Sequence, residues 1–186
     1  MRLLLATRNA HKLREFERLL PGVELDPLPD EVDTPPENGE TYAANALIKA
    51  RAAAAQTGRA AIADDSGIEA EALGGAPGVR TARYAGEAAT DEENLAKFER
   101  EVPAGSPLRY VCAIAHVGPD GAETVLSGTC EGTMASSRAG VRGFGYDPIF
   151  VPEGASRTMA ELSDAEKDVI SHRGHAARAL GEWLGG

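Results

Sequence analysis

Short apolar runs alternate with helically spaced apolar positions along much of this chain, a pattern that predicts an α/β protein. Residues 3–6 have the length and composition of a buried strand. Residues 12–20 follow with apolar side chains three or four positions apart, which predicts a helix, and Pro21-Gly22 ends it. Residues 25–36 are rich in Pro and Asp and are predicted to form a surface loop.

The remaining pattern adds helices and an antiparallel strand pair. Thr41 and Thr90 are placed to cap helices. The predicted helices cover 42–56, 91–101 and most of 164–184, and the predicted strands cover 110–117, 123–129 and 149–151. Together these elements predict an elongated mixed β-sheet with flanking helices in two lobes around a central cleft, built as a single domain over residues 1–186.

The short apolar run that begins at Ala61 is predicted to be a buried strand, and it ends abruptly at Asp64-Asp65-Ser66-Gly67. Two adjacent carboxylates cannot both enter an apolar core as bare anions, and a divalent cation is the simplest partner. An ordinary Asp-Ser-Gly turn explains the same residues equally well. The segment is therefore either a metal site or a turn.

The overall composition is that of a globular protein, with 42% hydrophobic and 26% charged residues. A formal net charge of −10 argues against binding to nucleic acid or anionic lipid. The apolar run at the N-terminus is too short for a signal peptide or a membrane span, so we expect a cytoplasmic protein without a membrane partner. Any anionic ligand must then be met by local positive charge.

The segment from Thr7 to Lys12 lies between the first strand and its helix, where backbone N–H groups and the positive helix end favour a phosphate. Lys12 adds a formal charge. The segment lacks the glycines of a Walker A loop, so it does not support P-loop chemistry. A plain helix cap formed by Thr7 or Asn9 is the alternative interpretation.

Glu37 is close in sequence to the strand that carries Asp65, and Mg²⁺ is typically held by one or two carboxylates while waters and substrate phosphates complete its shell. Glu37 with Asp65 would suffice. Four other acids compete for that role: Glu40, Asp64, Glu69 and Glu71.

The segment 143–148, GFGYDP, combines flanking glycines with two aromatic residues. Such a segment can enclose a planar base, with Asp147 or backbone groups on its hydrogen-bonding edge. The alternative is a glycine-rich turn in which Phe144 and Tyr146 cover the core.

Ser171-His172-Arg173-Gly174 lies near the start of the last predicted helix, downstream of Lys167. Arg173 can bind a phosphate or a base carbonyl, His172 can donate a hydrogen bond, and Lys167 adds a point charge. A hydrolase triad of Ser66, His172 and an Asp is less favoured, because Ser66 lacks the Gly-x-Ser-x-Gly setting.

Taken together, these segments resemble the inosine triphosphate pyrophosphatase family, nearly from end to end. The resemblance rests on ATRNAHK at 6–12, ENGETY at 37–42, NALIKA at 45–50, ADDSG at 63–67, GGAPG at 74–78, ARY at 82–84, GFGYDP at 143–148, EK at 166–167 and SHRG at 171–174.

The resemblance implies Mg²⁺-dependent hydrolysis of non-standard purine nucleoside triphosphates (ITP, dITP and XTP) to the monophosphate and pyrophosphate, which cleanses the nucleotide pool, and it implies a homodimer. It implies that Glu37 and Asp65 hold the metal and that Asp65 is also the general base. The substrate contacts that it implies are Thr7, Arg8, Asn9, Ala10, His11, Lys12, Ser66, Phe144, Gly145, Tyr146, Asp147, Lys167, His172 and Arg173, with Lys49 as a further phosphate contact.

The chain departs from the family pattern at two places: Ala43-Ala44 stands where many relatives have an acid, and Arg8 stands where they often have a small residue. Two other functions also stay open: a pyrophosphatase with a different base selectivity and a non-catalytic nucleotide-binding module.

Overall fold

The computed structural model describes residues 1–185 and has a six-stranded sheet with helices against it. The strands are β1 (Arg2–Leu5), β2 (Glu24–Pro27), β3 (Ala61–Ala70), β4 (Pro107–Val117), β5 (Glu123–Met134) and β6 (Phe150–Pro152). The helices are α1 (Ala10–Leu19), α2 (Tyr42–Thr57), α3 (Asp91–Glu101), α4 (Asp164–Ile170) and α5 (His172–Gly185).

The sheet has the strand order β2-β1-β3-β4-β5-β6. β1 runs parallel to both β2 and β3, whereas β5 and β6 are antiparallel. The predicted α/β class with a mixed, helix-flanked sheet is therefore confirmed.

Local capping explains where several helices begin. The Thr41 side chain accepts a hydrogen bond from the Ala44 N–H at the start of α2. Thr90 and Glu93 form a reciprocal capping box at the start of α3, and Ser163 forms a similar box at α4. Both threonine caps predicted from the sequence are confirmed.

Two predicted boundaries are wrong. Residues 24–27 are not loop but the strand β2, which pairs with β1, and the Arg2 guanidinium donates to Asp26 at 2.7 Å. β3 does not end at Asp64-Asp65 but continues to Ala70, because both carboxylates have polar partners inside the protein. A strand can cross two buried acids when each acid is paired.

The chain divides into two compact units. The first contains Met1–Asp65, Cys112–Gly128 and the chain from Arg173 onward, and the second contains Ser66–Val111 and Thr129–His172. Whether these form the single domain predicted from the sequence stays a prediction.

In the first unit, alternate residues of β1 belong to two hydrophobic clusters, as the two-residue period of a strand requires. Leu4 packs with alanines of α2, including Ala46, Ala50 and Ala53. Leu3 and Leu5 pack instead with residues of α1 and α5. The parallel strands are thus covered on both faces, which keeps their carboxyl ends in fixed positions.

The second unit has its own core, in which aromatic rings meet edge to face. The rings of Phe98 and Tyr146 lie 5.1 Å apart at 70°, and Ile68, Leu95 and Phe150 belong to the same cluster. Among residues 1–185, no helix has both the length and the apolar character needed to cross a membrane.

Candidate active site

The segment from Thr7 to Lys12 joins β1 to α1, and its turn is held by an Asn9 cap. The Asn9 side chain accepts from the backbone N–H groups of His11 at 2.8 Å and Lys12 at 3.2 Å. The Asn9 N–H in turn donates to the Thr7 hydroxyl at 3.2 Å. Asn9 therefore caps α1, as the alternative interpretation of this segment predicts. The substrate contacts predicted for the segment, including Ala10, stay predictions.

The Arg8 side chain lies against residues 28–32. Its guanidinium donates to the carbonyl oxygens of Leu28 at 3.2 Å, Pro29 at 3.0 Å and Val32 at 3.0 Å. It also pairs with the Asp30 carboxylate at 3.2 Å. A phosphate that bound this guanidinium would have to replace some of these hydrogen bonds. The contacts of Arg8 are thus with the segment that follows β2.

Asp64 is the centre of a buried set of charges in the first unit. Its Oδ2 atom lies 2.9 Å from Lys12 Nζ and 3.2 Å from Arg173 Nη2. Arg173 also pairs with the buried Glu15. Burial alone would raise the pKa of Asp64, but the charges of Lys12, Arg173 and Lys49 outweigh it and hold the pKa below its usual range. Asp64 therefore stays an anion that positions Lys12.

Arg173 is only 2% exposed. Burial opposes its charge, yet Asp64 and Glu15 overcome that effect and raise the pKa of the guanidinium. A buried arginine with two carboxylate partners is a structural cation before it is anything else. Its predicted contact with the base stays a prediction.

Asp65, the next residue of β3, has different surroundings. Its Oδ2 atom accepts from the Asn45 side chain at 3.0 Å, and Asn45 in turn accepts from the Gly39 N–H at 2.8 Å. Burial raises the pKa of Asp65 and the neighbouring Glu37 raises it further, against the opposing effects of Lys49 and Asn45. A carboxylate with a raised pKa and a fixed orientation is suited to accept a proton.

Glu37 and Lys49 complete this part of the first unit. Lys49 Nζ lies 3.1 Å from Glu37 Oε2, and Lys49 also acts electrostatically on both aspartates. A small cavity of about 10 Å³ is lined by Lys49, Thr34 and neighbouring residues. A lysine here can offset negative charge on a ligand as well as on Glu37.

The donor set fits a hard divalent cation. Glu37 and Asp65 both present carboxylate oxygens, and they lie close enough together for the Glu37 charge to raise the pKa of Asp65. Within residues 1–185, no group of three or more His, Cys, Asp or Glu side chains is arranged to hold a metal. A two-carboxylate set leaves the rest of a Mg²⁺ shell to water and substrate oxygens.

In the second unit, Asp147 organises the segment that was predicted to bind a base. Its Oδ2 atom accepts from the Phe144 N–H at 3.0 Å and from Lys167 Nζ at 2.8 Å. Its Oδ1 atom accepts from the Tyr110 hydroxyl at 3.1 Å. Asp147 is 3% exposed, so its side chain holds neighbouring groups in place.

The glycines and aromatic residues of this segment have separate roles. Gly143 has φ +70, and a Cβ there would lie 2.0 Å from Asp147 Oδ2, so a side chain is excluded. Tyr146 is buried and its hydroxyl donates to the Thr81 carbonyl at 2.8 Å, as the core-covering alternative predicts. Phe144 is half-buried, and Lys167 Nζ lies 5.1 Å from the centre of its ring.

His172 is the first residue of α5, and its ring stacks on Tyr110 with centroids 4.5 Å apart and planes at 12°. Gly145 has a positive φ of +60. Ser66 belongs to the same unit and lies half-buried on β3. The substrate contacts predicted for these residues stay predictions.

Three residues that contact predicted site residues were not themselves predicted: Glu15, Asn45 and Tyr110. Glu15 and Asn45 are buried on α1 and α2. Their helical neighbours are a mixture of polar and apolar residues, so the sequence pattern gave no signal of this burial. Tyr110 gave no signal, since a tyrosine in a strand is ordinary.

The fold is that of an α/β protein, and its candidate site combines two neighbouring carboxylates, Asp65 and Glu37, with the lysines Lys12 and Lys49. The chain belongs to the Ham1 family, whose model matches residues 3–183. This confirms the family predicted from the sequence.

Similar proteins cover almost the whole chain. A protein of Frankia alni named dITP/XTP pyrophosphatase is 47% identical over 99% of this chain and 97% of its own length. The structure of a HAM1 protein from Coxiella burnetii has a TM-score of 0.88 at 40% identity and covers 99% of this chain and 98% of its own. A nucleoside-triphosphatase / dITP/XTP pyrophosphatase from Mycobacterium abscessus has a TM-score of 0.75 at 46% identity and covers 99% of each chain.

Proposed function

We propose that this chain hydrolyses the non-standard purine nucleoside triphosphates ITP, dITP and XTP between the α and β phosphates, giving the monophosphate and pyrophosphate. The single observation that carries the chemistry is Asp65, a buried carboxylate with a raised pKa that Asn45 holds in one orientation. The names of its relatives from Frankia alni and Mycobacterium abscessus support the substrate class.

Asp65 acts as the general base. It accepts a proton from a water molecule, which then attacks the α phosphate while the α–β bond breaks and pyrophosphate leaves. Asn45 donates to Oδ2 of Asp65 and so fixes the orientation of the carboxylate that accepts the proton.

Glu37 and Asp65 would hold Mg²⁺, which when bound offsets charge on the phosphate oxygens. Lys12 and Lys49 supply fixed positive charge of the same kind. Lys12 is held by Asp64, and Lys49 is held by Glu37 at 3.1 Å, so neither lysine has to be ordered when the substrate binds.

The base is assigned to the residues of the second unit around Asp147. Phe144 offers a ring face, and Lys167 and His172 offer donors. A site whose donors pair with a carbonyl leaves groups unsatisfied when an amine arrives, which disfavours ATP relative to ITP.

A homodimer and a cytoplasmic location are part of the same proposal, and the homodimer rests on the resemblance. Light scattering coupled to size-exclusion chromatography tests the dimer against the chain mass of 19.4 kDa.

The deciding experiment measures pyrophosphate release from ITP with and without Mg²⁺. We expect Asp65→Asn to lower kcat by about 10²- to 10⁴-fold, the usual contribution of a general base. Asp120→Asn, a substitution in the exposed turn between β4 and β5, is the matched control and should keep full activity. Full activity in Asp65→Asn would refute the base assignment.

Two further outcomes separate the alternatives. No pyrophosphate release by the wild-type protein would favour a non-catalytic nucleotide-binding module. Equal kcat/KM values for ITP, XTP, dUTP and ATP would contradict selection of the purine carbonyl and favour a pyrophosphatase of different base selectivity.

A further inference from the structure

Tyr110 touches two of the groups to which base binding is assigned, although it was not itself predicted to bind substrate. It lies on β4 and is 6% exposed. Its ring stacks on His172 at 4.5 Å and packs on Phe150 at 4.4 Å. Its hydroxyl donates to Asp147 Oδ1 at 3.1 Å.

The hydroxyl has a specific consequence for Asp147. A carboxylate that accepts on one oxygen only can rotate about its side-chain bond, whereas one that accepts on both oxygens is fixed. Asp147 accepts the Tyr110 hydroxyl on Oδ1 and both Phe144 N–H and Lys167 Nζ on Oδ2. Tyr110 therefore holds Oδ1 and so fixes the carboxylate whose other oxygen, Oδ2, places Phe144 and Lys167.

Tyr110 keeps its proton under all ordinary conditions. Burial raises the pKa of its hydroxyl well above the usual value, and the Asp147 charge raises it further. The hydroxyl is thus a permanent donor to Asp147.

The ring has a second consequence, for His172. The imidazole lies nearly parallel to the Tyr110 ring, with 12° between the planes. Stacking against a buried ring limits the imidazole to one plane and so fixes the directions of its two nitrogen atoms. One buried side chain thus orients the imidazole through its face and the Phe144 segment through its hydroxyl.

We propose that Tyr110 is a positioning residue for base selection, which acts through Asp147 and His172 and does not touch the substrate. The inference rests on the proposed function. It predicts that changes at Tyr110 alter the choice between ITP and ATP more than they alter the chemical step at Asp65.

The test uses Tyr110→Phe, which removes the hydroxyl and keeps the ring, and Tyr110→Leu, which removes both. We expect Tyr110→Phe to lower the ratio of kcat/KM for ITP to that for ATP by about tenfold, through KM for ITP with kcat nearly unchanged. Tyr110→Leu should lower the ratio further. Tyr84→Phe is the matched control, because it removes a hydroxyl that hydrogen-bonds Glu101 in the same unit, and it should leave the ratio unchanged.

A double-mutant cycle separates positioning from a general loss of packing. If Tyr110 acts through Asp147, then Tyr110→Phe should have no further effect on the ratio once Asp147→Ala is present. Additive effects would overturn the proposal. An unchanged ratio in Tyr110→Phe would overturn it as well.

Equilibrium binding of inosine monophosphate gives a readout that does not depend on turnover, and thermal unfolding identifies any variant that fails to fold. If Tyr110→Leu does not fold, the Tyr110→Phe variant and the double-mutant cycle still test the positioning role of Tyr110. A wild-type protein that does not hydrolyse ITP contradicts the proposed function. Wild-type hydrolysis of ITP with an unchanged ratio in Tyr110→Phe contradicts only the role of Tyr110.

Discussion

Asp64 and Asp65 are adjacent on β3, yet their surroundings move their pKa values in opposite directions. Asp64 has Lys12 and Arg173 within ion-pair distance, and its pKa is lowered. Burial raises the pKa of Asp65 and the Glu37 charge adds to this effect, while Lys49 and the Asn45 hydrogen bond offset it only in part. Cations within ion-pair distance therefore outweigh burial at Asp64 but not at Asp65, and this difference decides the direction in which each pKa moves.

The largest effect is expected from removing the charge of Asp64. Asp64→Asn leaves Lys12 and Arg173 in the interior without their shared anion, and breaking a buried ion pair in this way typically costs about 3–5 kcal/mol. Chemical denaturation should show this loss in the free energy of unfolding, whereas Asp65→Asn should lose activity and little stability. Equal losses of stability in the two variants would contradict the distinction.

The same variant gives a pH test with a defined sign. The folded-state pKa of Asp64 lies below its unfolded value of about 3.9, so its contribution to stability is present above that pH and is lost as the pH falls further. The difference in stability between wild type and Asp64→Asn should therefore be constant from about pH 5 to 7 and should shrink below about pH 4. A difference that grew on acidification would contradict the lowered pKa.

A smaller effect is expected at Asn45, whose side chain hydrogen-bonds Asp65. Asn45→Ala removes the donor that fixes Asp65, and a hydrogen bond to a charged group contributes about 1.5–3 kcal/mol. We expect kcat for ITP to fall about 10- to 100-fold, with KM little changed.

Asn94→Ala is the matched control for Asn45→Ala. Asn94 is also a buried helix residue, but it hydrogen-bonds the backbone at Ala82 and Ala85. It should lower stability without lowering kcat in the folded protein. A similar fall in kcat for both variants would reduce the role of Asn45 to packing.

The smallest effect is expected at Arg8. Arg8→Ala removes the donors to the carbonyl groups of residues 28–32 and should lower the free energy of unfolding by about 1 kcal/mol, because the guanidinium is partly exposed. Hydrogen exchange of residues 28–32 should become faster, and Arg100→Ala, an exposed change on α3, should leave it unchanged. A large rise in KM for ITP without faster exchange would instead assign Arg8 to the phosphates.

Sequence reasoning succeeded where the determining contacts are local. The bounds of α3 were predicted correctly because Thr90 and Glu93 form a capping box within one turn. The strand β2 was missed because Glu24–Pro27 has no apolar run and depends on pairing with β1.

The same distinction holds for the site. The motifs marked Asp65 and Lys12, but the continuation of β3 through Asp64 depends on Arg173, 109 residues later in the chain. Similarly, Tyr110 meets Asp147 across 37 positions. Partners so far apart in sequence leave no periodic signal, so their contacts had to come from the structure.

The alanines of α2 determine how closely this helix packs on the sheet. Ala46, Ala50 and Ala53 let the helix backbone approach the sheet closely. This approach sets the distance from the sheet of Asn45 and Lys49, which lie one turn apart on the same helix. An added methyl group at this interface would push α2 away from the sheet. Asn45 and Lys49 would then move together, and with them their contacts to Asp65 and Glu37. Side chains without a polar atom thus set the positions of Asn45 and Lys49, which contact Asp65 and Glu37.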